Sequence, residues 1–327
     1  MSNTIAFTIC SNNYLAQAIS LAVSYLKFHP NHLFKIGLVD NILEDRSSIL
    51  FDKIEVIPVS KLEIDGFEQL VQKYNIIELN TSVKPTYFKF IFKNYNAQNV
   101  IYLDPDILVF SSFDELEKEF ENKNIIVTPH ILTPIDDEYS PTDYHTLRGG
   151  VFNLGFIALS DISKVAKFLD WWHERVVKYG FADFTRNMFY DQLWLNYLPC
   201  LFDNYHILKH PGYNMANWNL HERVLTNKND AWIVNNEYPL RFFHYSGYRL
   251  AQPQVMCCYN TRYDFNSRPD IKPVFDEYYN VSISNGWAAL RQIKCVFEQK
   301  NEQKRKSIGE RLRSRLYVIY RAVVKGY

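Results

Sequence analysis

The chain has 327 residues, enough for one large α/β domain with an appendage or for two smaller domains. Its 36 basic and 36 acidic residues give a formal net charge of zero, which argues against a nucleic-acid-binding protein with a basic surface. The five cysteines are odd in number and lack metal-ligand spacing, which indicates a reducing compartment. Because we find no apolar run of about 18 residues and no signal-like N-terminus, we expect a cytoplasmic protein.

The first third of the chain alternates between strand-like and helix-like segments. Thr4–Cys10 has the pattern of a buried strand, and a polar loop at 11–13 leads into an amphipathic helix at 14–28. The pattern predicts further strands at 33–39, 55–59 and 99–110, with helices at 44–51 and 82–95. This alternation is typical of an α/β protein with a parallel sheet and helices on both faces. In such sheets ligands bind at the carboxyl ends of the strands.

The middle of the chain is less regular. A polar segment at 133–150 is too long for an ordinary connection, and loops of that length are often lids or binding loops. Beyond it we predict a strand at 151–160, a helix at Ile162–Tyr179 and a short strand at 240–245. Aromatic residues make up 16% of the chain, and Tyr and Trp offer platforms on which sugar rings stack.

The C-terminal segment carries a charge asymmetry. From Lys300 onward there are nine Lys or Arg and two acids, so the tail holds +7 and the rest of the chain −7. From residue 285 the pattern predicts helix, with an apolar face surrounded by basic residues. Such a helix either binds an anionic membrane surface, here the inner face of the plasma membrane, or packs on the domain or on a second copy. We divide the chain into a main domain at 1–265 and a helical region with this basic tail at 266–327.

Two carboxylates interrupt the most apolar stretch of the chain. Asp104 and Asp106, separated by Pro105, lie between the runs NVIYL and ILVF. Acidic residues are costly in strands unless their charges have a partner, and proline cannot donate to a ladder, so the pair belongs at a strand end or edge. Residues i and i+2 of an extended chain project to one side and can share Mg²⁺ or Mn²⁺. The alternative is a solvated turn, since so short a pattern also arises by chance.

Further motifs place polar groups where packing does not require them. Asn153 and Gly155 lie in an apolar strand, where Gly permits close backbone approach and Asn offers an amide. Asp191 and Gln192 begin a helix, and taken alone Asp191 also fits the role of an N-cap. The loop 214–220 is rich in amides.

The last motif ends the predicted strand at 240–245. It contains His244 and, three residues later, Gly247. Taken alone, a histidine at this position is more often an ordinary hydrogen-bonded residue than a metal ligand.

Together, in this order, the motifs resemble the retaining glycosyltransferases of family eight, the group that contains glycogenin and the bacterial lipooligosaccharide galactosyltransferases. The resemblance covers most of residues 1–250 and includes the N-terminal strand with its polar loop, the helical segment 84–89 and the four motifs after it. It implies a GT-A fold, a Rossmann-like nucleotide-sugar-binding mixed sheet flanked by helices, with residues 1–265 as the catalytic domain.

The resemblance also implies roles for individual residues. Asp104, Asp106 and His244 would bind a Mn²⁺ or Mg²⁺ ion, and Gln192 would lie beneath the anomeric carbon of the donor sugar, with Asp191 at its hydroxyls. Because an amide is a poor nucleophile, this arrangement favours front-face attack, in which the leaving phosphate helps to deprotonate the acceptor. The other donor- or nucleotide-binding residues that the resemblance implies are Thr8, Ser11, Asn13, Lys84, Lys89, Pro105, Asn153, Leu154, Gly155, Gly247 and Arg249.

Two positions depart from the family pattern. Lys89 stands where the family has arginine, so the charge is kept but the bidentate fork for phosphate is lost. Leu250 stands where the closing motif of the family has lysine, and either Arg249 or Arg148 would replace that contact.

The expected function is transfer of a sugar from a nucleotide-diphosphate sugar, UDP-linked, to a glycan or lipid-linked oligosaccharide in cell-surface polysaccharide or lipopolysaccharide synthesis. Two alternatives stay open at this point. A sugar nucleotidyltransferase shares the sheet and the metal chemistry, although residues 10–14 (CSNNY) lack the Gly-rich basic loop of such enzymes. A non-catalytic carbohydrate-binding protein would use the aromatic and amide side chains for the glycan and the tail for the membrane.

Overall fold

A computed structural model describes residues 3–42, 49–51 and 53–298. The strands are β1 Thr4–Cys10, β2 Leu33–Leu38, β3 Ile49–Phe51, β4 Ile54–Pro58, β5 Asn99–Leu103, β6 Ile107–Val109, β7 Ile125–Pro129, β8 Phe152–Ser160, β9 Tyr205–Ile207, β10 Met215–Ala216, β11 Leu225–Lys228, β12 Ala231–Val234, β13 Tyr238–Pro239 and β14 Phe242–His244. The α-helices are α1 Leu15–Phe28, α2 Phe67–Lys73, α3 Ile76–Ser82, α4 Lys84–Tyr95, α5 Asp114–Glu119, α6 Asp143–Gly149, α7 Ile162–Tyr179, α8 Leu198–Leu201, α9 Lys272–Ser284 and α10 Trp287–Leu290.

Eight of the strands form a central sheet in the order β3-β4-β2-β1-β5-β8-β7-β9. β1 runs parallel to β2 and β5, and β2 runs parallel to β4, as the alternation of strands and helices predicts. β8 runs antiparallel to both of its neighbours, β5 and β7. The mixed sheet implied by the family resemblance is therefore confirmed, and a sheet that is parallel throughout is not what this chain forms.

Helices cover both faces of the central sheet. All seven residues of β1 are buried, because its side chains alternate between two faces that are each covered. On one face α4 and α7 pack through aromatic side chains that include Phe88 and Trp172. On the other face lies α1, next to the packed rings of Phe113 and Phe242. Polar side chains lie instead at the carboxyl end of β5, between these two layers.

Several segments differ from their predictions. The strand predicted at 99–110 is two strands, β5 and β6, because the Asp-Pro-Asp turn interrupts it. Residues 49–51 of the predicted helix at 44–51 form β3, antiparallel to β4, and residues 44–48 lie outside the described part of the chain. The segment 133–150, predicted as an irregular loop, contains α6.

The C-terminal helical region is described only as far as residue 298. Helix α9 ends at residue 284, before the predicted helix begins, and among the described residues from 285 onward only the four-residue α10 is an α-helix. The basic tail from Lys300 onward, with the membrane association expected for it, lies outside the described residues. Within the described ranges, none of the helices combines the length and apolar character needed to cross a membrane.

A small second sheet extends the structure beyond the end of β5. Its order is β10-β14-β6, with β14 antiparallel to β6 and His244 opposite Ile107. Helix α9 packs against it, since Tyr278 stacks on Tyr245 with ring centroids 4.0 Å apart. This short sheet connects the Asp-Pro-Asp turn to a segment more than a hundred residues later in the chain.

Candidate active site

Asp104 and Asp106 lie where β5 ends and β6 begins. The amide of Asp104 donates to the carbonyl of Gly155 on β8 at 2.8 Å, and the carbonyl of Asp106 accepts from the amide of Tyr245 at 2.8 Å. Pro105 lies in the turn between them, outside both strands. Backbone bonds to two different sheets thus hold both carboxylates at the carboxyl end of β5, where ligands bind in sheets of this type.

His244 reaches the two carboxylates because it is the last residue of β14, the strand that pairs with β6. Its Nε2 lies 3.1 Å from Oδ1 of Asp106 and 3.8 Å from Oδ2 of Asp104. One possible ligand atom from each of the three side chains lies within 4.8 Å of the others. The structure therefore brings together the three residues expected as metal ligands.

The donor set fits a hard or borderline divalent cation, because two carboxylates and one imidazole suit Mn²⁺ or Mg²⁺. The carboxylate side chains are 29% and 27% exposed while that of His244 is only 4% exposed, so one side of the cluster is open for phosphate or water. Burial and the neighbouring Asp106 raise the pKa of Asp104, against the opposing charges of Lys84 and His244. Burial acts to lower the pKa of His244, but the two carboxylates outweigh it and the pKa is raised.

A buried ion pair lies next to this cluster. Nζ of Lys84, at the start of α4, is 2.7 Å from Oδ2 of Asp191, and both side chains are buried. The same Nζ donates to the carbonyl of Leu154 at 3.0 Å and lies 4.1 Å from the ring centre of Tyr102. Because the hydroxyl of Tyr102 donates to Oδ1 of Asp104 at 2.6 Å, Lys84 connects the carboxylate expected at the donor sugar with one expected at the metal.

Gln192 is held by backbone groups on either side of the start of β8. Its Nε2 donates to the carbonyl of Gly149 at 2.7 Å, and its Oε1 accepts from the amide of Leu154 at 3.4 Å. The side chain is partly exposed, so the amide is accessible although its orientation is fixed at both ends. The backbone of Leu154 thus binds both side chains: its carbonyl accepts from Lys84 and its amide donates to Gln192.

The side chain of Asn153 points into the protein and is engaged by protein groups. It is 6% exposed, its Oδ1 accepts from the amide of Gly155 at 3.1 Å, and its Nδ2 lies 3.1 Å from Nε2 of His130. A Cβ on Gly155 would lie 2.4 Å from Cε1 of His244. The close approach that this glycine permits is therefore made by the imidazole, and the contacts of Asn153 do not support its expected place along the donor sugar.

The residues expected at the nucleoside lie at the carboxyl end of β1. Thr8 is fully buried and its Oγ1 has no hydrogen-bond partner. Oγ of Ser11 donates to the carbonyl of Val39 at 3.3 Å, and Asn13 is partly buried in the short 3₁₀ helix that follows. The Thr8 hydroxyl and the side-chain oxygen of the neighbouring Asn12 are buried groups here with unused hydrogen-bonding capacity.

Asp40 belongs to this end of the sheet and was missed from the sequence. It is 1% exposed, and its carboxylate accepts from the backbone amides of Asn12 at 3.3 Å and of Val296 at 3.1 Å. Its position directly after a buried strand was an available signal, because polar residues there meet at the ligand-binding edge of the sheet.

Residues 5–160 match the family model described as Glycosyl transferase family 8. The matched range runs from β1 to the end of β8 and contains Asp104, Asp106, Asn153 and Gly155. The chain is a glycosyltransferase that resembles family 8 over this range, a little under half of its length. Its expected partners are therefore a nucleotide-sugar donor and a glycan acceptor.

Two proteins of Bacillus subtilis (strain 168) are similar to this glycosyltransferase in sequence. YfnF is 24% identical over 249 residues, which span 75% of this chain and 81% of that protein. YfnD is 21% identical over 252 residues, which span 76% and 78%. Both carry the description of uncharacterized proteins, so they support the relationship without adding a substrate.

Two solved structures share the fold. The galactosyltransferase LgtC, in complex with donor and acceptor sugar analogs, superposes with a TM-score of 0.50 at 17% identity over 86% of this chain and 95% of that one. The apo structure of the bifunctional glycosyltransferase WbbM gives a TM-score of 0.50 at 14% identity over 89% of this chain and 51% of that one. The mixed sheet of this glycosyltransferase is thus the GT-A fold.

Lys89 does not join the site. Its Nζ pairs with Oδ1 of Asp170 on α7 at 2.6 Å, in a partly exposed position. Five residues along an α-helix rotate a side chain by about 140° relative to its starting direction, so Lys84 and Lys89 face different neighbours. Lys84, and not Lys89, is thus the lysine of this helix that lies beside the candidate metal ligands.

The loop after His244 carries one exposed cation. Gly247 has a φ of +77°, and a Cβ there would lie 2.5 Å from the ring of Tyr259. Arg249 is exposed, and its charge opposes the rise in the pKa of Tyr14 that burial and Asp106 cause. Leu250 is 6% exposed and packs in the core, so Arg249 is the candidate of this loop for the contact that the family lysine makes.

Arg148, the other candidate for that contact, is committed elsewhere. Its guanidinium lies 4.3 Å from the ring centre of Phe184 and donates to the carbonyl of that residue at 3.2 Å. The segment 133–150 is itself tied down, since Arg262 makes two hydrogen bonds to Asp137, at 2.8 and 2.7 Å. These contacts attach the segment 133–150 to the rest of the structure and give no support to a lid.

Proposed function

We propose that this chain is a metal-dependent glycosyltransferase that moves a sugar from a UDP-linked donor to a glycan or lipid-linked acceptor, with retention of anomeric configuration, in cell-surface polysaccharide synthesis. The observation that carries the proposal is the convergence of Asp104, Asp106 and His244 at the carboxyl end of β5. The buried pair of Lys84 and Asp191 beside this cluster supports it, because a lone carboxylate would be costly at that depth.

Asp104, Asp106 and His244 would hold a Mn²⁺ or Mg²⁺ ion, which when bound supplies Lewis-acid stabilisation of the diphosphate that leaves. The exposed Arg249 is the cation proposed to bind a phosphate on the solvent side. Thr8, Ser11 and Asn13 form the floor at the end of β1 and are the residues proposed for the nucleoside.

The donor sugar would lie between Asp191 and Gln192. Asp191 accepts from sugar hydroxyls, and its ion pair with Lys84 holds its carboxylate in place. Gln192 presents an amide fixed by Gly149 and Leu154, whose oxygen can stabilise positive charge at the anomeric carbon. An amide does not form the covalent ester that a carboxylate would, so retention requires the acceptor to attack on the face from which the phosphate leaves.

Calorimetry with UDP, with and without Mn²⁺, tests this assignment on the full chain. We expect UDP to bind more than about tenfold tighter with Mn²⁺, a difference of at least about 1.4 kcal/mol. Asp106→Asn should abolish the Mn²⁺ effect, whereas Asp170→Asn, which changes an exposed acid on α7, should leave it unchanged. Equal UDP affinity with and without the metal, or full transferase activity in Asp106→Asn, would contradict the proposal.

A panel of UDP-sugars then identifies the donor, with nuclear magnetic resonance of the product reporting its anomeric configuration. An inverted product would refute front-face attack while leaving the metal site intact. Glycan binding that EDTA does not affect, combined with no affinity for UDP, would identify a carbohydrate-binding protein instead.

A further inference from the structure

Four polar side chains form a continuous line behind the candidate metal ligands. Nδ1 of His244 lies 3.3 Å from Oδ1 of Asn214, whose Nδ2 lies 3.2 Å from Oδ1 of Asn153. Nδ2 of Asn153 in turn lies 3.1 Å from Nε2 of His130. Each of these residues is at most 8% exposed, so the line is shielded from water along its whole length.

One backbone group sets the direction of every hydrogen bond in this line. The amide of Gly155 donates to Oδ1 of Asn153 at 3.1 Å, and a backbone N–H can only donate. Asn153 must therefore turn its oxygen toward Gly155 and Asn214, and its NH₂ toward His130. It follows that Nε2 of His130 is an acceptor, and that its ring hydrogen is on Nδ1.

The orientation of Asn153 also determines the hydrogen bonds on the side of the metal ligands. Since Oδ1 of Asn153 is an acceptor, Asn214 must offer it the NH₂ group, which also reaches Oγ1 of Thr128 at 3.3 Å. Oδ1 of Asn214 is then the group that faces His244, and an amide oxygen can only accept. Nδ1 of His244 must carry a hydrogen, which leaves Nε2 to face Asp104 and Asp106.

We propose that Asn153, Asn214 and His130 are positioning residues that hold the imidazole of His244 with Nδ1–H directed inward and the Nε2 lone pair directed at the cation site. The proposal rests on the proposed function, since it needs a cation at that site. It explains Asn153 and Gly155 together. The amide of Gly155 sets the direction of the hydrogen bonds through Asn153, and the missing side chain of the glycine leaves room for the imidazole of His244. Outer hydrogen bonds of this kind fix the tautomer and plane of metal-ligating histidines.

Packing fixes the ring plane as well. The ring of Trp218 meets His244 edge-on with centroids 5.2 Å apart, and it meets His130 in the same way at 5.3 Å. The backbone amide of His130 donates to the carbonyl of Val151 at 3.0 Å, two residues after Gly149, whose carbonyl binds Gln192. The line therefore runs from the metal ligands to the segment that orients the amide at the donor sugar.

The binding of Mn²⁺ alone to the full chain, followed by electron paramagnetic resonance, tests the role of Asn214. Asn214→Leu removes the side-chain bonds to His244, Asn153 and Thr128 at similar volume and should weaken Mn²⁺ binding about 10- to 100-fold. Asn124→Leu is the matched control, because it removes another buried amide, bonded to Ser160 at the opposite end of β8, and should lower stability without changing Mn²⁺ affinity. Wild-type affinity in a folded Asn214→Leu chain would overturn the inference.

The direction of the bonds has a signature that a purely structural role would not produce. In the metal-free chain, long-range ¹H–¹⁵N spectra should show His130 with its hydrogen on Nδ1. In Asn153→Asp the new carboxylate can only accept, so Nε2 of His130 should gain a hydrogen while Mn²⁺ affinity stays within about tenfold of wild type. Asn153→Leu should lose that affinity. A wild-type His130 with its hydrogen on Nε2 would reverse the line and refute the proposal.

Failure of this inference is distinguishable from failure of the proposed function. A wild-type chain that binds no Mn²⁺ would refute the cation site, and the inference with it. If the wild-type chain binds Mn²⁺ and Asn214→Leu binds it equally tightly, only the positioning role is refuted.

Discussion

The lysine that reaches the site is a different residue from the one aligned with the family arginine. The sequence motif places a cation at Lys89, because the residues around it resemble the family pattern. The structure places Lys84 against Asp191 and Lys89 against Asp170 on the surface. A motif fixes the order of residues along a helix, but which of two lysines points inward depends on how the helix is rotated against the sheet, and that rotation is set by packing.

Replacing each lysine by methionine separates the two positions. Lys84→Met leaves Asp191 buried without its partner, so we expect a loss of about 3–5 kcal/mol in the free energy of unfolding and a fall in transferase activity. Lys89→Met removes a partly exposed pair and should cost less than about 1 kcal/mol with activity retained. Urea unfolding and turnover of the UDP-sugar donor measure both effects. Similar losses in the two variants would contradict the assignment of Lys84 to the site.

The long elements were predictable, and most of the short ones were not. β1, α1, β2, α4, β5, β8 and α7 follow from apolar runs or from helical periodicity. β6 and β10 contain only three and two residues, too few for a period to be visible, whereas β14 falls within the strand predicted at 240–245. Yet the pairing of β6 with β14 is what brings His244 to Asp106. Sequence reasoning expected that contact from family resemblance alone, because pairing between distant segments leaves no local signal.

A cluster of rings joins α1, β2 and α5 through two histidines. The rings of Tyr25 and His29 stack 4.3 Å apart, and the hydroxyl of Tyr25 lies 2.8 Å from Nδ1 of His32. Nε2 of His29 accepts from the amide of Phe113 at 3.0 Å, which requires a neutral ring. Burial lowers the pKa of His29, and burial together with the proximity of His29 lowers the pKa of His32 to about 4.

This cluster predicts a specific loss of stability in acid. The pKa of His32 is about 4 when folded and about 6.5 when unfolded, so between these values the unfolded chain binds more protons and stability falls as the pH falls. We expect this histidine to contribute on the order of 2 kcal/mol to that loss, after allowance for its partial exposure. His32→Asn keeps an acceptor for Tyr25 but does not titrate. Urea unfolding from pH 7 to pH 4 should therefore show a shallower fall in the variant, and parallel curves would refute the prediction.

At the scale of the whole molecule, the C-terminal residues are tied to the catalytic part of the chain. Sγ of Cys295 contacts the carbonyl of Val39 at 3.2 Å, next to the bond between Val296 and Asp40 at the end of β2. The hydroxyl of Tyr245, one residue after a candidate metal ligand, donates to the carbonyl of Val274 on α9 at 2.8 Å. Composition could locate the basic tail, but it could not show that residues 266–298 pack on both ends of the site, because these contacts join segments far apart in sequence.

Two truncations test whether residues 266–298 fold together with the rest. Ending the chain after residue 265 removes Ile271, Val274, Phe275 and Tyr278, each at most 2% exposed, and exposes the face of β14 on which they pack. Burial of each such side chain is worth about 2 kcal/mol, and the total rivals the 5–15 kcal/mol by which a typical domain is stable. We therefore expect residues 1–265 alone to show no cooperative thermal unfolding. Ending the chain after residue 298 keeps all of these contacts and should leave Tm within about 3 °C of the full chain. A stable, active 1–265 fragment would show instead that the catalytic domain ends where composition alone suggests.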